Sequence, residues 1–537
     1  MLARQRLLGA ATLVCALLCA LPGRALASAT QESVLMDDNE LIYSSPQHAA
    51  GRLDQLKALG VDRVKISVSW GLIAPDPIST QRPKFDATDP AAYPAGTWSR
   101  YDTLVRLASQ RGLKVYFQFT PPAPQWAIPK HQPTNQGIPL GQTPHTGEFG
   151  EFVEAVGRRY GGTYMAPAPA GSTTPGDASS NPPGTPDAIP RVDYWGIWNE
   201  PNFPSWLNPW YRRLAHGKRE LLQPSSYRAL VDAAWNGLRM TGHGADTILI
   251  GETANFGNLT PLDFIRALYC VSPAYRPLSG AAASYVGCPR SPDQAQFAAQ
   301  HPGLFKATGF AHHPYSFDYS PGRPYPAKTF VTLYNLSQLE GVLNRILATY
   351  GKGRGGGMPL YLTEWGYKTN PPNPFVKTSE AQQALWLDEG EYMTWRDPYV
   401  RSLAQFLLVD DAPNSLYPVG SHLYWHPFQT GLITLDGARK PSYAAYRIPI
   451  WLPVARHGRR VAVWGQLRPA DHQALQSAAL QYRRAGSASF RTIREVQTSN
   501  PEGFLLANVA LPSRGQVRLM WTAPGGGLDY SRAALVN

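Results

Sequence analysis

Two glutamates flanked by tryptophan carry the chemistry that this sequence announces. Glu200 lies in Tyr194-Trp195-Gly196-Ile197-Trp198-Asn199-Glu200-Pro201-Asn202, and Glu364 in Leu360-Tyr361-Leu362-Thr363-Glu364-Trp365-Gly366-Tyr367. Each ends a short apolar run that reads as a buried strand, and Pro or Gly follows where that strand must stop. Two carboxyl groups at the ends of two parallel strands suit acid-assisted cleavage of an acetal. One must hold a proton for the leaving oxygen while the other, ionised, attacks the anomeric carbon.

The elements that must position them alternate along about 420 residues. Strands are expected at Val34–Met36, Arg63–Trp70, Lys114–Thr120, Tyr194–Asn199, Thr247–Gly251, Thr308–His313, Leu360–Thr363 and Leu403–Val409, separated by amphipathic stretches such as YDTLVRLASQRG and NLSQLEGVLNRILATYG. Eight strands with helical crossovers predict a (β/α)8 barrel over residues 30–450, and the two glutamates fall on its fourth and seventh strands. A Pro/Ser/Gly-rich stretch, residues 166–190, precedes the fourth strand. It reads as a disordered, mobile insertion on the face away from the site, with no catalytic role. From about Arg447 helical periodicity stops. The alternating segments VAVWGQL, ALQYRRA, FLLANVA and QVRLMWTA predict a small all-β sandwich over residues 451–537.

Composition sets the compartment. A chain of 537 residues with 43% hydrophobic content exceeds what one domain usually buries. Residues 1–29 combine Arg4 and Arg6, an apolar run and an Ala-Ser-Ala ending, which reads as a secretory signal peptide. The protein is thus expected to be secreted, to the exterior or the cell envelope, with no transmembrane segment after it. Export makes a disulfide between Cys270 and Cys288, the two cysteines left after processing, the expected state. Of the formal charge of +12, Arg4, Arg6 and Arg24 contribute three, leaving +9. Residues 451–537 hold eleven arginines against Asp471, Glu495, Glu502 and Asp529, so +7 sits in the last sixth. That module could lean on an anionic glycan or a cell-wall surface; a plainly solvated arginine-rich surface is the simpler reading. Export and the lack of a basic–aromatic pattern argue against nucleic acid.

Trp-Asn-Glu-Pro at 198–201, His312-His313-Pro314-Tyr315 and Thr-Glu-Trp-Gly at 363–366 together resemble clan A of the retaining glycoside hydrolases, in the cellulase-like manner of families five and thirty-nine. The resemblance runs from about residue 34 to residue 447. It implies Glu200 as general acid/base and Glu364 as nucleophile, Asn199 as donor to a sugar 2-hydroxyl, and His312 or His313 with Tyr315 as residues orienting nucleophile and ring. Trp195, Trp198 and Trp365 are expected to wall the pair with apolar surface. Where many clan members carry arginine on the second strand, this chain has Lys65. It keeps the charge and loses the rigid fork, so the nucleophile is expected to be held more loosely or to rely on Tyr315.

Asp37, Asp38, Glu252, Asp410 and Asp411 also end expected strands and are read as sugar ligands or loop caps, with Glu252 the one rival for a catalytic role. Sugar rings stack on aromatics, and Trp126, Trp206 and Trp425 are the expected contacts. No metal or cofactor is expected, because adjacent His312 and His313 must face opposite sides of a strand and no phosphate-loop fingerprint occurs. The expected function is a secreted retaining glycosidase acting on a poly- or oligosaccharide. The alternatives are a transglycosylase on the same scaffold and a catalytically silent glycan-binding protein.

Overall fold

The computed structural model describes residues 28–130, 141–167, 186–453, 459–468, 474–524 and 526–536. Residues 1–27 of the expected signal peptide, and most of the expected insertion at 166–190, therefore lie outside the described residues. Eight parallel strands close into a barrel: β1 (Glu32–Met36), β2 (Arg63–Ser69), β3 (Lys114–Thr120), β4 (Tyr194–Ile197), β5 (Thr247–Ala254), β6 (Gly309–His313), β7 (Leu360–Trp365) and β8 (Val400–Phe406). Each pairs with its chain neighbours, and β8 closes the ring against β1. All eight expected strands form. The largest shift is in β8, which starts three residues early and ends three residues early, leaving Leu407–Val409 to the loop above it.

The principal crossover helices are α1 (Pro46–Leu59), α2 (Ser99–Gln110), α3 (Thr146–Arg159), α4 (Gln223–Met240), α5 (Pro261–Leu268), α6 (Leu336–Thr349), α7 (Glu380–Arg396) and α8 (Pro441–Arg447). Their limits follow local chemistry. The Ser45 hydroxyl accepts from the His48 amide to open α1, and Gly60, at φ 78°, takes the left-handed position that closes it. Ser379 and Gln382 form a reciprocal cap at the start of α7. The main apolar core lies between strands and helices, while Tyr116, Leu249, Ala311 and Tyr361 form a small cluster of their own with Tyr194 packed on it. Arg63, 1% exposed, stacks 3.3 Å over Tyr194 and pairs with Glu32 and Asp193. The barrel is thus a filled core rather than a pore.

Between α3 and β4, Met165–Pro167 and Pro186–Ala188 pair as a two-stranded antiparallel ribbon at the base of the expected insertion. A helix-to-strand connection puts this ribbon on the face of the barrel opposite the strand carboxyl ends. Beyond α8, β9 (Ile450–Trp451), β10 (Arg460–Gln466) and β13 (Phe504–Ala510) make one antiparallel sheet. In the second, β11 (Gln476–Arg484) lies between β12 (Arg491–Thr498) and β14 (Gly515–Thr522), which also pairs with β15 (Leu528–Tyr530) and β16 (Ala534–Val536). The two sheets share one core of Val461, Val463, Leu480, Leu505, Val517, Leu519 and Trp521. This is the expected sandwich, and it docks on α7. Trp464 packs on Tyr392 and Trp395, Arg468 pairs with Glu391 at 2.6 Å, and Arg532 pairs with Asp388. Burial pushes Asp388 up to about 7 even against that guanidinium. Cys270 and Cys288 are disulfide-bonded.

Candidate active site

Pleating decides which strand residues enter the barrel. On β2 the inward positions include Lys65, on β3 Tyr116 and Gln118, on β4 Gly196, and on β6 His313. Two register slips then turn carboxylates into the mouth. On β5 the pairing with β6 jumps between Ile250 and Thr253, with Gly251 at φ 106° and Glu252 at φ 45°. On β7 the pairing with β8 slips between Leu362 and Trp365. Both Thr363 and Glu364 consequently face the site. Such bulges re-aim a side chain at the cost of ladder hydrogen bonds. Glu200 also has a positive φ, 38°, as does Trp198 at 68°, so the segment carrying it is held in a backbone state that non-glycine residues rarely adopt.

Lys65, fully buried, places Nζ 3.1 Å from Glu252 Oε2 and 3.2 Å from Glu364 Oε1, and it also donates to the Thr363 carbonyl at 3.3 Å. Burial would lower its pKa, yet the two carboxylates outweigh that and raise it. His313 bridges the other side, with Nδ1 3.0 Å from Glu200 Oε1 and 3.6 Å from Glu364 Oε2, and Nε2 2.8 Å from Glu252 Oε2. Burial opposes its charge, but Glu364, Glu200 and Glu252 together raise it to about 9. Tyr315 Oη donates to Glu364 Oε2 at 3.4 Å. Glu200 and Glu364 each have a carboxylate oxygen within 4.8 Å of the other and of a His313 ring nitrogen. That triad could span a cation by distance. A doubly protonated imidazole, however, has no lone pair to give.

Glu252 is not a rival of this pair but its foundation. It is fully buried and receives Lys65, His313, Thr363 Oγ1 at 2.7 Å and Tyr116 Oη. Burial pushes its pKa up; Lys65, His313 and Tyr116 overcome this and hold it at about 2. A carboxylate so enclosed cannot meet a substrate. The other acids divide as caps. Asp37 accepts from the Glu40, Leu408 and Val409 amides, Asp410 from Gly431 and Lys440, and Asp411 from Asn39 and the Phe428 amide. Asp38, half-buried, accepts from the Ser67 amide at 3.1 Å. Burial lifts it to about 6, with Lys65 and Glu364 close enough to act on it.

Several expected positions fall elsewhere. His312 faces outward, taking the Thr253 hydroxyl at Nδ1 (2.8 Å) and meeting the Val331 carbonyl at Nε2 (3.0 Å), and burial lowers it to about 4. The strand's alternation admits only one of two adjacent histidines, and His313 has the place. Trp126 is 7% exposed, its indole N–H tied to the Pro75 carbonyl and its ring edge-on to Trp70 and Phe85, so it packs a loop instead of offering a sugar platform. Trp195, Trp198 and Trp365 do not wall the carboxylates. They occupy the layer between strands and helices, against His243, Phe149 and Gly390 respectively. The aromatic wall beside Glu364 is Tyr315 with Phe406 and Phe428. Trp206 and Trp425 are half-buried in the loops after β4 and β8, on the mouth side. Asn199 is buried and accepts from Gln118 Nε2 at 2.9 Å.

No family model matches the chain, and no curated protein matches it in sequence. Among solved structures it is similar to a glucosidase from Croceicoccus marinus, at 12% identity and a TM-score of 0.47, over 94% of this chain and 97% of that one. A monomeric β-xylosidase from Caulobacter crescentus follows at 13% identity and a TM-score of 0.42, covering 90% and 96%. A β-glucuronidase from Bacteroides uniformis gives 10% identity and a TM-score of 0.42 over 95% of this chain, which spans 46% of that longer enzyme.

Sequence reasoning missed Tyr116 and Gln118, and it gave Glu252 the wrong role. One signal for Glu252 was available. Gly251 follows the apolar run Ile248–Ile250 inside the strand, and an isolated strand glycine marks a bulge.

Proposed function

We propose that the protein is a secreted retaining glycoside hydrolase that cleaves O-glycosidic bonds of a poly- or oligosaccharide by double displacement. The observation that carries this reading is the facing of Glu200 and Glu364 across less than 4.8 Å between nearest oxygens, in keeping with the roughly 5–5.5 Å between carboxyl groups that a covalent route needs. An inverting pair stands further apart to admit water.

The surroundings favour distinct roles. Glu364 is met by the Lys65 ammonium at Oε1 and by the Tyr315 hydroxyl at Oε2, contacts that orient the carboxylate and suit it to attack C1. Glu200, with the more open side chain at 17% against 11%, pairs with His313 and, among the described residues, with no lysine or arginine. It protonates the departing oxygen in the first step and takes the proton of the incoming water in the second. The carbonyl oxygen of Trp198 and the side chain of Asn199 both accept from Gln118, which fixes the segment just before Glu200. Secretion rests on the signal-peptide pattern at 1–29.

The test is azide rescue on an activated aryl β-glycoside that the wild type turns over. Glu200→Ala with azide should release a β-azide, and Glu364→Ala an α-azide. Appreciable activity in both variants without azide would overturn the assignment.

A further inference from the structure

The outer face of the larger sandwich sheet carries a pair of arginines fixed by aromatic rings, and we propose that it is a binding site for a carboxylate-bearing polysaccharide. This deepens the glycosidase reading by naming the charge class of the polymer that the enzyme would hold.

Strand alternation sets the face. Leu480, Tyr482, Val517 and Leu519 point into the sandwich core, so Gln481, Arg483, Gln516 and Arg518 point out. In register, Gln481 stands opposite Arg518 and Arg483 opposite Gln516, which makes the two arginines diagonal neighbours about 7–8 Å apart at Cα. The Arg518 guanidinium lies 4.2 Å from the Phe490 ring centroid and 4.2 Å from that of Tyr530, held between them. Arg483 lies 4.7 Å from the same Phe490 ring centroid. Each is steered further by a glutamine. Arg518 Nε donates to Gln481 Oε1 at 2.9 Å, and Arg483 donates to Gln516. The Gln481 amide in turn reaches Thr492 on β12.

Among the described residues no carboxylate lies within ion-pairing distance of Arg483 or Arg518. Asp529, the neighbouring acid, is turned away to Arg447 at 2.6 Å. The carboxylate on this face, Glu495, stands opposite Ala479, two positions along β11 from Gln481 and four from Arg483. By contrast Arg468 and Arg532 are spent on the contact with α7. A solvated arginine needs no aromatic clamp and no glutamine brace. Arg518, clamped between two rings and braced through Nε, presents its terminal nitrogens to a planar carboxylate, and Arg483, stacked on one ring and braced by Gln516, adds its charge beside it; little rotamer freedom is left to lose on binding. The rings beside them, with Tyr530 39% exposed, offer flat surface to the C–H faces of sugars. Nucleic acid is the less fitting polyanion, because a flat sheet with two fixed forks offers no groove for a duplex.

Binding is measured on the full-length protein by affinity electrophoresis in gels containing polygalacturonate or the same polymer with its carboxyls reduced to alcohols. The expected result is retardation by the acidic polymer only, weakened about tenfold or more in Arg483→Gln/Arg518→Gln and strengthened in Glu495→Gln. Arg459→Gln/Arg460→Gln, which removes the same charge from the other sheet, should leave retardation unchanged, and all variants should turn over a small aryl glycoside like the wild type. Equal loss in the Arg459/Arg460 control would reduce the effect to net charge and overturn the site. So would equal retardation by the reduced polymer, or stronger retention by double-stranded DNA. Should the double variant fail to fold, Arg518→Lys, which keeps the charge and loses the fork, gives the same reading. Binding is scored without turnover, so this site and the catalytic assignment fail separately.

Discussion

Lys65 is the residue on which the buried charges of the site balance. It faces two carboxylates from a position with no exposure, so its loss leaves Glu252, Glu364 and Glu200 sharing His313 alone as a cation among the described residues. Lys65→Met should reduce kcat on an aryl glycoside by at least about 10²-fold and stability by about 3–5 kcal/mol, since an uncompensated buried charge is among the costliest defects. Urea titration beside steady-state kinetics checks both; a variant of wild-type stability would show that the carboxylates do not depend on the ammonium. His313 adds a pH dependence. Its folded value of about 9 lies above the ordinary 6.5, so the stabilisation is complete below about pH 6.5 and is lost as pH rises through 9. The shift corresponds to about 3 kcal/mol. Wild type should therefore exceed His313→Asn in stability at pH 6 by that order, with the gap closing by pH 10. A gap that stays constant from pH 6 to 10 would mean that the imidazolium is not what holds the carboxylates.

At the scale of elements, the site depends on strands brought closer together than side chains would allow. A Cβ on Gly196 would stand 2.3 Å from Tyr116 Oη and 2.9 Å from Glu252 Oε1. Gly196→Ala on β4 must displace the tyrosine or the buried carboxylate. The expected cost is about 1–3 kcal/mol of stability, with a fall in kcat, because Glu252 positions both Lys65 and His313. Gly341 in α6 is the contrast. Nothing lies within 4 Å of a Cβ there, so Gly341→Ala should stabilise by about 0.5–1 kcal/mol through helix propensity. Thermal melts of the two variants should move in opposite directions; movement in the same direction would refute the packing argument.

At the scale of the molecule, the sandwich buttresses the barrel. Trp464 is fully buried against Tyr392 and Trp395 of α7, and Asp388 and Glu391 on that helix find their cations in the sandwich. Cutting the chain at 451 would uncover these groups, so truncation tests stability before it tests anchoring. Trp464→Ala is expected to cost about 3–5 kcal/mol and to lower one common melting transition. Two separate transitions in the wild type would mean that the two parts unfold independently, contrary to the shared interface.

The sequence by itself determined the strand order, the sandwich and the positions of Glu200 and Glu364, because strand periodicity, turn residues and motif spacing are local properties that survive without a fold. Cys270 and Cys288 were legible for a similar reason, there being no other cysteine after residue 29. Other assignments were beyond it. Whether a tryptophan stacks on sugar or packs a loop is decided by what lies over its ring, and Trp126 found Trp70 and Phe85. Which of two adjacent histidines enters the barrel depends on pleat phase, and Glu252 became a buried anchor only because a bulge on β5 brought it to Lys65, His313 and Tyr116 from three other strands. Those partners stand 61, 136 and 187 residues away along the chain, and only closure of the barrel makes them neighbours.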